Sequence, residues 1–483
     1  MSEHYDLVVI GSGPAGEKGA AQAAYFGKRV CIVERAPKPG GAAINTGGVP
    51  SKTLRETALY FSGLRQRGLY GVDYHVKRDI TIADFMFRER SVIEAEWKLI
   101  DENLRKHGIA KVQGTARFLN PNEITVTRYA EAPRHITGDY FLIATGSQPQ
   151  HPDGIDVDGT LIVDSDSLLT LERIPASMIV IGGGIVGCEY AGTFAALGVR
   201  VTLITSRSRL LTQLDTELSD ALRAQMTARL GVQVYTDIDV TRITADNGRA
   251  QVVLGGETEL TADCILYCVA RNGAIAGLGL DEIGVRTNAR GFVLVDGSYR
   301  TAIPEIYAAG DVIGQPALAS TAMEQARVAV CHAFDFRYKQ QIATILPFGV
   351  WTIPEVAMVG ETPEQLTARG VEFEVGRSSF RINPRGQVIG DLDGFVKLVF
   401  RADTQQLLGV SVIGEGACEL IHIGMACMAF GGTIDFFIQS VFMYPSLADV
   451  FKYAAYDGLQ AIARRHAKRQ SLPPTGGYRA VGA

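Results

Sequence analysis

Three glycines, Gly11, Gly13 and Gly16, follow directly on the apolar run Leu7-Val8-Val9-Ile10, with Pro14 and Ala15 filling the gap. That spacing makes a phosphate cradle. Gly11 permits a tight turn, Gly13 lets the backbone approach a pyrophosphate, and Gly16 lets the next helix pack on the strand. The free N–H groups and the dipole at the helix start favour the negative charge. Small residues from Glu17 to Phe26 predict that helix, and Arg29 to Val33 predicts a second strand. Glu34 ends the second strand, where a carboxylate accepts hydrogen bonds from a ribose. A lone glycine fingerprint is weak, but strand, helix, strand and terminal acid in order form a βαβ unit.

The unit recurs. Met178 to Ile181 leads into Gly182, Gly184, Ile185, Val186 and Gly187, then a helix to about Leu197 and a strand from Val199 to Ile204. Two dinucleotide folds in one chain imply two dinucleotides, and electron transfer between them is the economical use. The second unit lacks the ribose acid. Thr205 takes its place, followed by Ser206, Arg207 and Arg209. Hydroxyls with two guanidinium groups attract a 2′-phosphate that a fixed carboxylate would repel. The plainer reading is a solvated basic loop.

Two further strands bracket the second unit. Tyr140 to Ala144 ends in Thr145 and Gly146, and Ile306 to Ala309 ends in Gly310 and Asp311. Asp311 reads as a helix N-cap, a role compatible with holding the hydroxyls of a ligand.

The chain around these elements has 483 residues, too many for one core, so two to four domains are expected. With 47% hydrophobic and 20% charged residues and a net charge of -5, it is ordinary for a soluble protein and gives no reason to expect nucleic acid or a membrane. No apolar run approaches the roughly 20 residues of a membrane span, and no signal peptide is read at Met1. The cysteines Cys31, Cys188, Cys264, Cys268, Cys331, Cys418 and Cys427 form no CxxC or zinc spacing. They suit thiols buried in a reducing cytoplasm, and no metal site is expected.

Taken in order, these motifs resemble the flavoprotein disulfide reductases, the class I pyridine nucleotide-disulfide oxidoreductases. The likeness runs through Gly40-Gly41 to Pro50-Ser51-Lys52, Ala144-Thr145-Gly146 and Gly310-Asp311, then Thr352 to Glu355, Val359-Gly360 and Tyr444-Pro445-Ser446. It covers about residues 4 to 460. The resemblance implies FAD on the first unit, held by Gly11, Gly13, Pro14, Ala15, Gly16, Glu34, Arg35, Gly41, Ala42, Lys52, Ala144, Thr145, Gly146, Gly310, Asp311, Leu318 and Ala319. It implies NAD(H) or NADP(H) on the second, held by Gly182, Gly184, Ile185, Val186, Gly187, Glu189, Thr205, Ser206, Arg207 and Arg209. Lys52 and Glu189 are similar to the family's ion pair beside the flavin, although Glu189 alone would read as a surface helix residue.

The departures carry the functional information. The family's paired cysteines correspond to Ala43 and Gly48, so the usual dithiol route is closed. The family's C-terminal histidine and glutamate, the acid/base for those thiols, correspond to Tyr444 and Asp449. Thr205 to Leu211, Val163 to Ser167, Leu420 to Gly424 and Tyr444 are similar to the transhydrogenase members of the family, which typically keep one cysteine at the position of Ala43.

The fold class expected is α/β, with two Rossmann-like dinucleotide-binding domains and a C-terminal α+β dimerisation domain. The bounds expected are 1–155 and 286–345 for FAD, 156–285 for NAD(P), 346–465 for an interface domain implying a homodimer, and 466–483 for a tail. His422 reads as a core or interface residue, and Trp351 as packing. Three functions stay open: hydride transfer between NADPH and NAD⁺, an NAD(P)H oxidase or quinone reductase, and a non-catalytic nucleotide-binding scaffold. Intact glycine fingerprints argue against the last.

Overall fold

The first strand, Glu3–Ile10, is buried along its apolar half and pairs in parallel with Val30–Glu34 on one side and Arg134–Ile143 on the other. A strand apolar on both faces is what a helix-covered parallel sheet requires. This computed structural model describes residues 3–63, 80–151, 154–246, 248–256 and 258–471. The described chain forms two compact units. One holds the chain to Ser62, then 80 to Ser206 and Ile238–Ala343; the other holds mainly Arg207–Asp237 and the chain from Thr344.

The first unit contains both nucleotide folds. Its larger sheet runs Ala110–Gln113, Val30–Glu34, Glu3–Ile10, Arg134–Ile143, Glu123–Thr127, Thr115–Asn120, and Ile306–Ala308 also pairs with Arg134–Ile143. Val8, Ile10, Val33, Phe141 and Ile143 form the core of one face; Leu7, Val9, Ile32 and Leu142 form the other, beneath Ala20, Ala23 and Ala326. The second sheet places Arg200–Ile204, Ser177–Ile181, Cys264–Tyr267 and Ile162–Val163 side by side, all parallel. Ile179, Ile181 and Ile204 pack there against Ile243, Val252 and Leu254 of a three-stranded antiparallel sheet.

The helices begin as the glycine turns require. Pro14–Tyr25 has Pro at its first position and no side-chain cap, so its first N–H groups stay open to a ligand. It starts three residues before the Glu17 start expected, because Pro14 supplies a helical φ. A Cβ on Gly16 would stand 1.9 Å from the Gly11 carbonyl oxygen, and one on Gly187 would stand 1.8 Å from that of Gly182. Only glycine allows either helix to lie that close to its strand.

The second unit is an antiparallel sheet in the order Phe348–Val350, Val356–Gly360, Leu407–Ile413, Phe395–Arg401, Phe373–Ser379. Helices Ala417–Ala429 and Val450–Ser471 close its core around Phe400, Ile421, Phe437 and Phe451, with Trp351 packed against it. The last helix continues to Ser471, past the tail start expected at residue 466, since His466 and the residues after it extend the helical turn before them. Residues 472–483 lie outside the described chain. The Thr216–Leu230 helix is held in this unit by charge. Lys397, almost fully buried, meets Asp215 at 2.7 Å and Glu217 at 2.9 Å, and Arg377 forks onto Glu217 at 2.8 and 2.9 Å. Asp215 also caps that helix through the N–H groups of Glu217 and Leu218.

Candidate nucleotide sites and the residues between them

The two glycine turns are built alike. Each lies against the end of a neighbouring strand: a Cβ on Gly11 would meet the Ala144 carbonyl oxygen at 2.4 Å, and one on Gly182 would meet that of Cys268 at 2.6 Å. In the first fold, Glu34 accepts from the N–H and hydroxyl of Ser12, between the glycines, at 2.8 and 2.7 Å. In the second, Thr205 holds the corresponding place. It is buried, and a Cβ on Gly183 would lie 2.9 Å from its Cβ. Ser206 and Arg207 follow it on the surface, and Arg209 is half-buried with its guanidinium on the Thr212 carbonyl at 3.3 Å.

The turns differ in cover. The backbone of Gly41 roofs the first, since a Cβ on Gly13 would lie 3.7 Å from its Cα and a Cβ on Gly41 only 2.8 Å from the Cα of Gly13. Ala42, next along, is exposed, as is Arg35 beyond Glu34. Gly184 is exposed, and a Cβ there would meet nothing within 4 Å. Ile185 and Val186 open the helix behind it.

A second helix N-terminus converges on the first turn. A Cβ on Gly310 would stand 3.2 Å from the Cβ of Ala15 and 3.3 Å from that of Ala322, in the helix Ala319–Ala333, whose N-cap Leu318 offers no side-chain bond. Asp311 beside it accepts from the Ser147 hydroxyl at 3.2 Å. Burial pushes the Asp311 carboxyl above its usual range, offset in part by Ser147 and by the positive charge of Arg271. Thr145 Oγ1 and Thr321 Oγ1 are buried here without a protein partner. Uncapped N–H groups, a half-buried aspartate and orphaned hydroxyls fit a dinucleotide with a polyhydroxyl chain. Gly146 follows Thr145, and a Cβ there would meet nothing within 4 Å.

Lys52 lies one turn into the helix Gly48–Phe61, and Glu189 one turn into Ile185–Ala196 rather than in its first turn. These helices pack together, and the Lys52 ammonium meets the buried Glu189 carboxylate at 2.8 and 2.9 Å. Ser51, part of the Pro50-Ser51-Lys52 motif but given no role from the sequence, donates to Glu189 at 3.2 Å. No cysteine stands between Gly40 and Lys52, and none of the seven cysteines forms a disulfide. Burial pushes Cys31, Cys264 and Cys268 up to about 12, so these thiols are poor nucleophiles. Tyr444 and Asp449 belong to the other unit. Tyr444 is 72% exposed, Asp449 sits in a short helical turn, and no hydrogen bond joins them. His422 is exposed on its helix.

Among the described residues no group of three or more His, Cys, Asp or Glu side chains could hold a metal ion, and no helix is long and apolar enough to cross a membrane.

Two dinucleotide folds in series, joined by a lysine–carboxylate pair, define an oxidoreductase working between a flavin and a pyridine nucleotide. The chain belongs to the pyridine nucleotide-disulphide oxidoreductase family, whose profile matches residues 5–326, with the family's dimerisation domain matched over 346–455. The family uses FAD and NAD(P)H. Similar proteins include the soluble pyridine nucleotide transhydrogenase of Mycobacterium tuberculosis strain H37Ra, 40% identical over 94% of this chain and 97% of that one. That of Colwellia psychrerythraea is 36% identical over 95% and 98%. Among solved structures, LpdA of M. tuberculosis has a TM-score of 0.86 at 27% identity, covering 94% of this chain and 99% of its own. The Cu(II) complex of the HOCl-induced flavoprotein disulfide reductase RclA of Escherichia coli scores 0.85 at 27%, with the same coverage.

Proposed function

We propose that this enzyme carries out hydride exchange between NADPH and NAD⁺ through FAD, without a redox disulfide. The observation that carries the reading is the difference in cover between the two turns. The roofed turn at Gly13 suits a resident dinucleotide, and the open turn at Gly184 suits one that must leave so that another can enter. The absence of cysteine from Gly40 to Lys52 removes the thiol relay and leaves the nucleotides as the reactants. The 36–40% identity to named soluble transhydrogenases supports the same activity.

Bound FAD supplies the reversible hydride acceptor. Lys52, fixed by Glu189, sets a positive charge where negative charge grows on reduction. Thr205 in place of an acid, with Arg207 and Arg209 after it in sequence, lets NADH and NADPH use one site in turn. We assign the FAD part to 1–155 and 286–345, the NAD(P) part to 156–285 and the interface to 346–465. The matched dimerisation domain supports a homodimer, with the Tyr444-Pro445 loop serving the partner's flavin.

The test is anaerobic reduction of the bound flavin by NADPH followed by NAD⁺. Reoxidation by NAD⁺ within the turnover time supports the reading. Reoxidation only on admitting oxygen or a quinone overturns it in favour of an oxidase or quinone reductase.

A further inference from the structure

The chain leaves the first nucleotide fold through Ser147–Pro149 and returns through Arg271–Gly273. These two segments pair antiparallel, Ser147 opposite Gly273 and Pro149 opposite Arg271. The hinge between the folds is therefore a two-stranded ribbon, and Arg271 ties it together. Its Nε donates to the Ser147 hydroxyl at 2.8 Å and one terminal nitrogen donates to the Ser147 carbonyl at 2.9 Å. The other donates to the buried Ser165 hydroxyl at 3.1 Å and lies 3.5 Å from Asp166. Ser165 and Asp166 form the turn after Ile162–Val163, the edge strand of the second sheet. Ser147 in turn donates to Asp311. The carbonyl of Arg271 is itself held by Arg290 at 2.6 Å.

The path thus runs Asp311, Ser147, Arg271, Ser165, from the half-buried aspartate beside the first turn into the second fold. A guanidinium is suited to this, since its planar fork can face three partners at fixed angles where an ammonium cannot. We infer that Arg271 is a positioning residue for FAD: through Ser147 it orients the Asp311 carboxylate toward the flavin's hydroxyl chain, and it anchors that orientation to the second fold. The inference rests on FAD occupying the first turn, and not on which acceptor removes the hydride.

The experiment measures the FAD dissociation constant of deflavinated protein, by flavin fluorescence, for wild type, Ser147→Ala, Arg271→Gln and the double variant. Each single change is expected to weaken FAD about tenfold, the loss of one charge-assisted link. The double variant should be no weaker than Arg271→Gln alone, because both cut one path. Arg271→Lys, whose ammonium cannot face all these partners at once, should leave FAD weaker than wild type but tighter than in Arg271→Gln. Additive losses, or unchanged FAD affinity with a lowered unfolding temperature of the apoprotein, would show Arg271 to be a structural clamp only. Ser147→Ala removes one hydroxyl, so it still reads the path if the arginine variants fold poorly. Wild type that takes up no FAD would sink the flavin reading itself, a result distinct from any of these.

Discussion

Lys52 and Glu189 stand 137 residues apart in the chain and 2.8 Å apart at their charged ends. Glu189 is buried while Lys52 keeps a side open, so the carboxylate works as a fixed anchor and the ammonium as its exposed face. An ion pair arranged this way is preorganised toward whatever lies beyond the lysine. Lys52→Met is expected to slow flavin reduction by saturating NADPH about 10²-fold, with FAD content unchanged. Stopped-flow reduction of the variant measures it, and a rate within threefold of wild type would remove Lys52 from the chemistry.

Thr205 and Glu34 occupy matching places beside the two turns, one neutral and one charged. Thr205→Glu puts a carboxylate where a 2′-phosphate would lie. NADPH should then bind more than about tenfold more weakly while NADH changes little, since like charges cost and a ribose hydroxyl is a good donor to glutamate. Arg207→Ala with Arg209→Ala should shift the same ratio in the same direction. Titration of flavin reduction with each nucleotide checks both, and equal losses would place these residues outside the discriminating contact.

Gly48 bears on the missing disulfide. A Cβ there would stand 2.8 Å from the Ala43 carbonyl oxygen and 3.3 Å from the Ala43 Cα. The backbone has closed over the place where a side chain would go, so Gly48→Cys should destabilise by about 1–3 kcal/mol through overpacking. Thermal unfolding of the variant tests it. In the wild type, two-electron reduction should bring no long-wavelength thiolate-to-flavin band. Such a band would mean that another cysteine has moved to the flavin.

What was legible in the sequence is what lies close together in it. The glycine turns, their strands and the residues at the strand ends span a few tens of residues each, and backbone sterics dictate their types. Lys52 and Glu189 could be joined only through a family likeness, because no local pattern links two helices so far apart. Arg271 had no signal at all. Its partners Ser147, Ser165 and Asp166 come from two other segments, and an arginine after a strand looks like any solvated charge. The clasp on Thr216–Leu230 was equally hidden, since Arg377 and Lys397 lie opposite each other on neighbouring strands whose pattern reads as ordinary sheet.

That clasp makes its own prediction. Burial pushes the Glu217 carboxyl up, but hydrogen bonds from Arg377 and Lys397 outweigh it and hold the group below its usual range. A carboxylate depressed in the folded state stabilises above its unfolded value, near 4.5, and that contribution fades as pH falls through the lower folded value. Unfolding midpoints should therefore drop below about pH 4.5, and Glu217→Gln should flatten part of that fall. Lys397→Met leaves Asp215 buried and unpaired, which costs about 3–5 kcal/mol. Denaturant midpoints that do not move would show the network to be dispensable.

Tyr444 separates the two flavin chemistries still in competition. Its side chain is 72% exposed, so the phenol is available to another surface, and the loop that carries it belongs to the matched dimerisation domain. If hydride passes from one nucleotide to another, no proton has to reach the acceptor, and the phenol contributes packing or a hydrogen bond to the bound nucleotide. Tyr444→Phe should then keep NADPH-to-NAD⁺ turnover within about tenfold, a barrier change of roughly 1.4 kcal/mol, with the larger effect on KM. If a quinone is the acceptor, a proton must follow the hydride, and losing a general acid costs 10²–10⁴-fold. The same variant assayed against NAD⁺ and against a quinone gives the two numbers. A collapse of NAD⁺ reduction with FAD still bound and its spectrum unchanged would count against hydride exchange, because it would assign the phenol a proton that this reaction does not move.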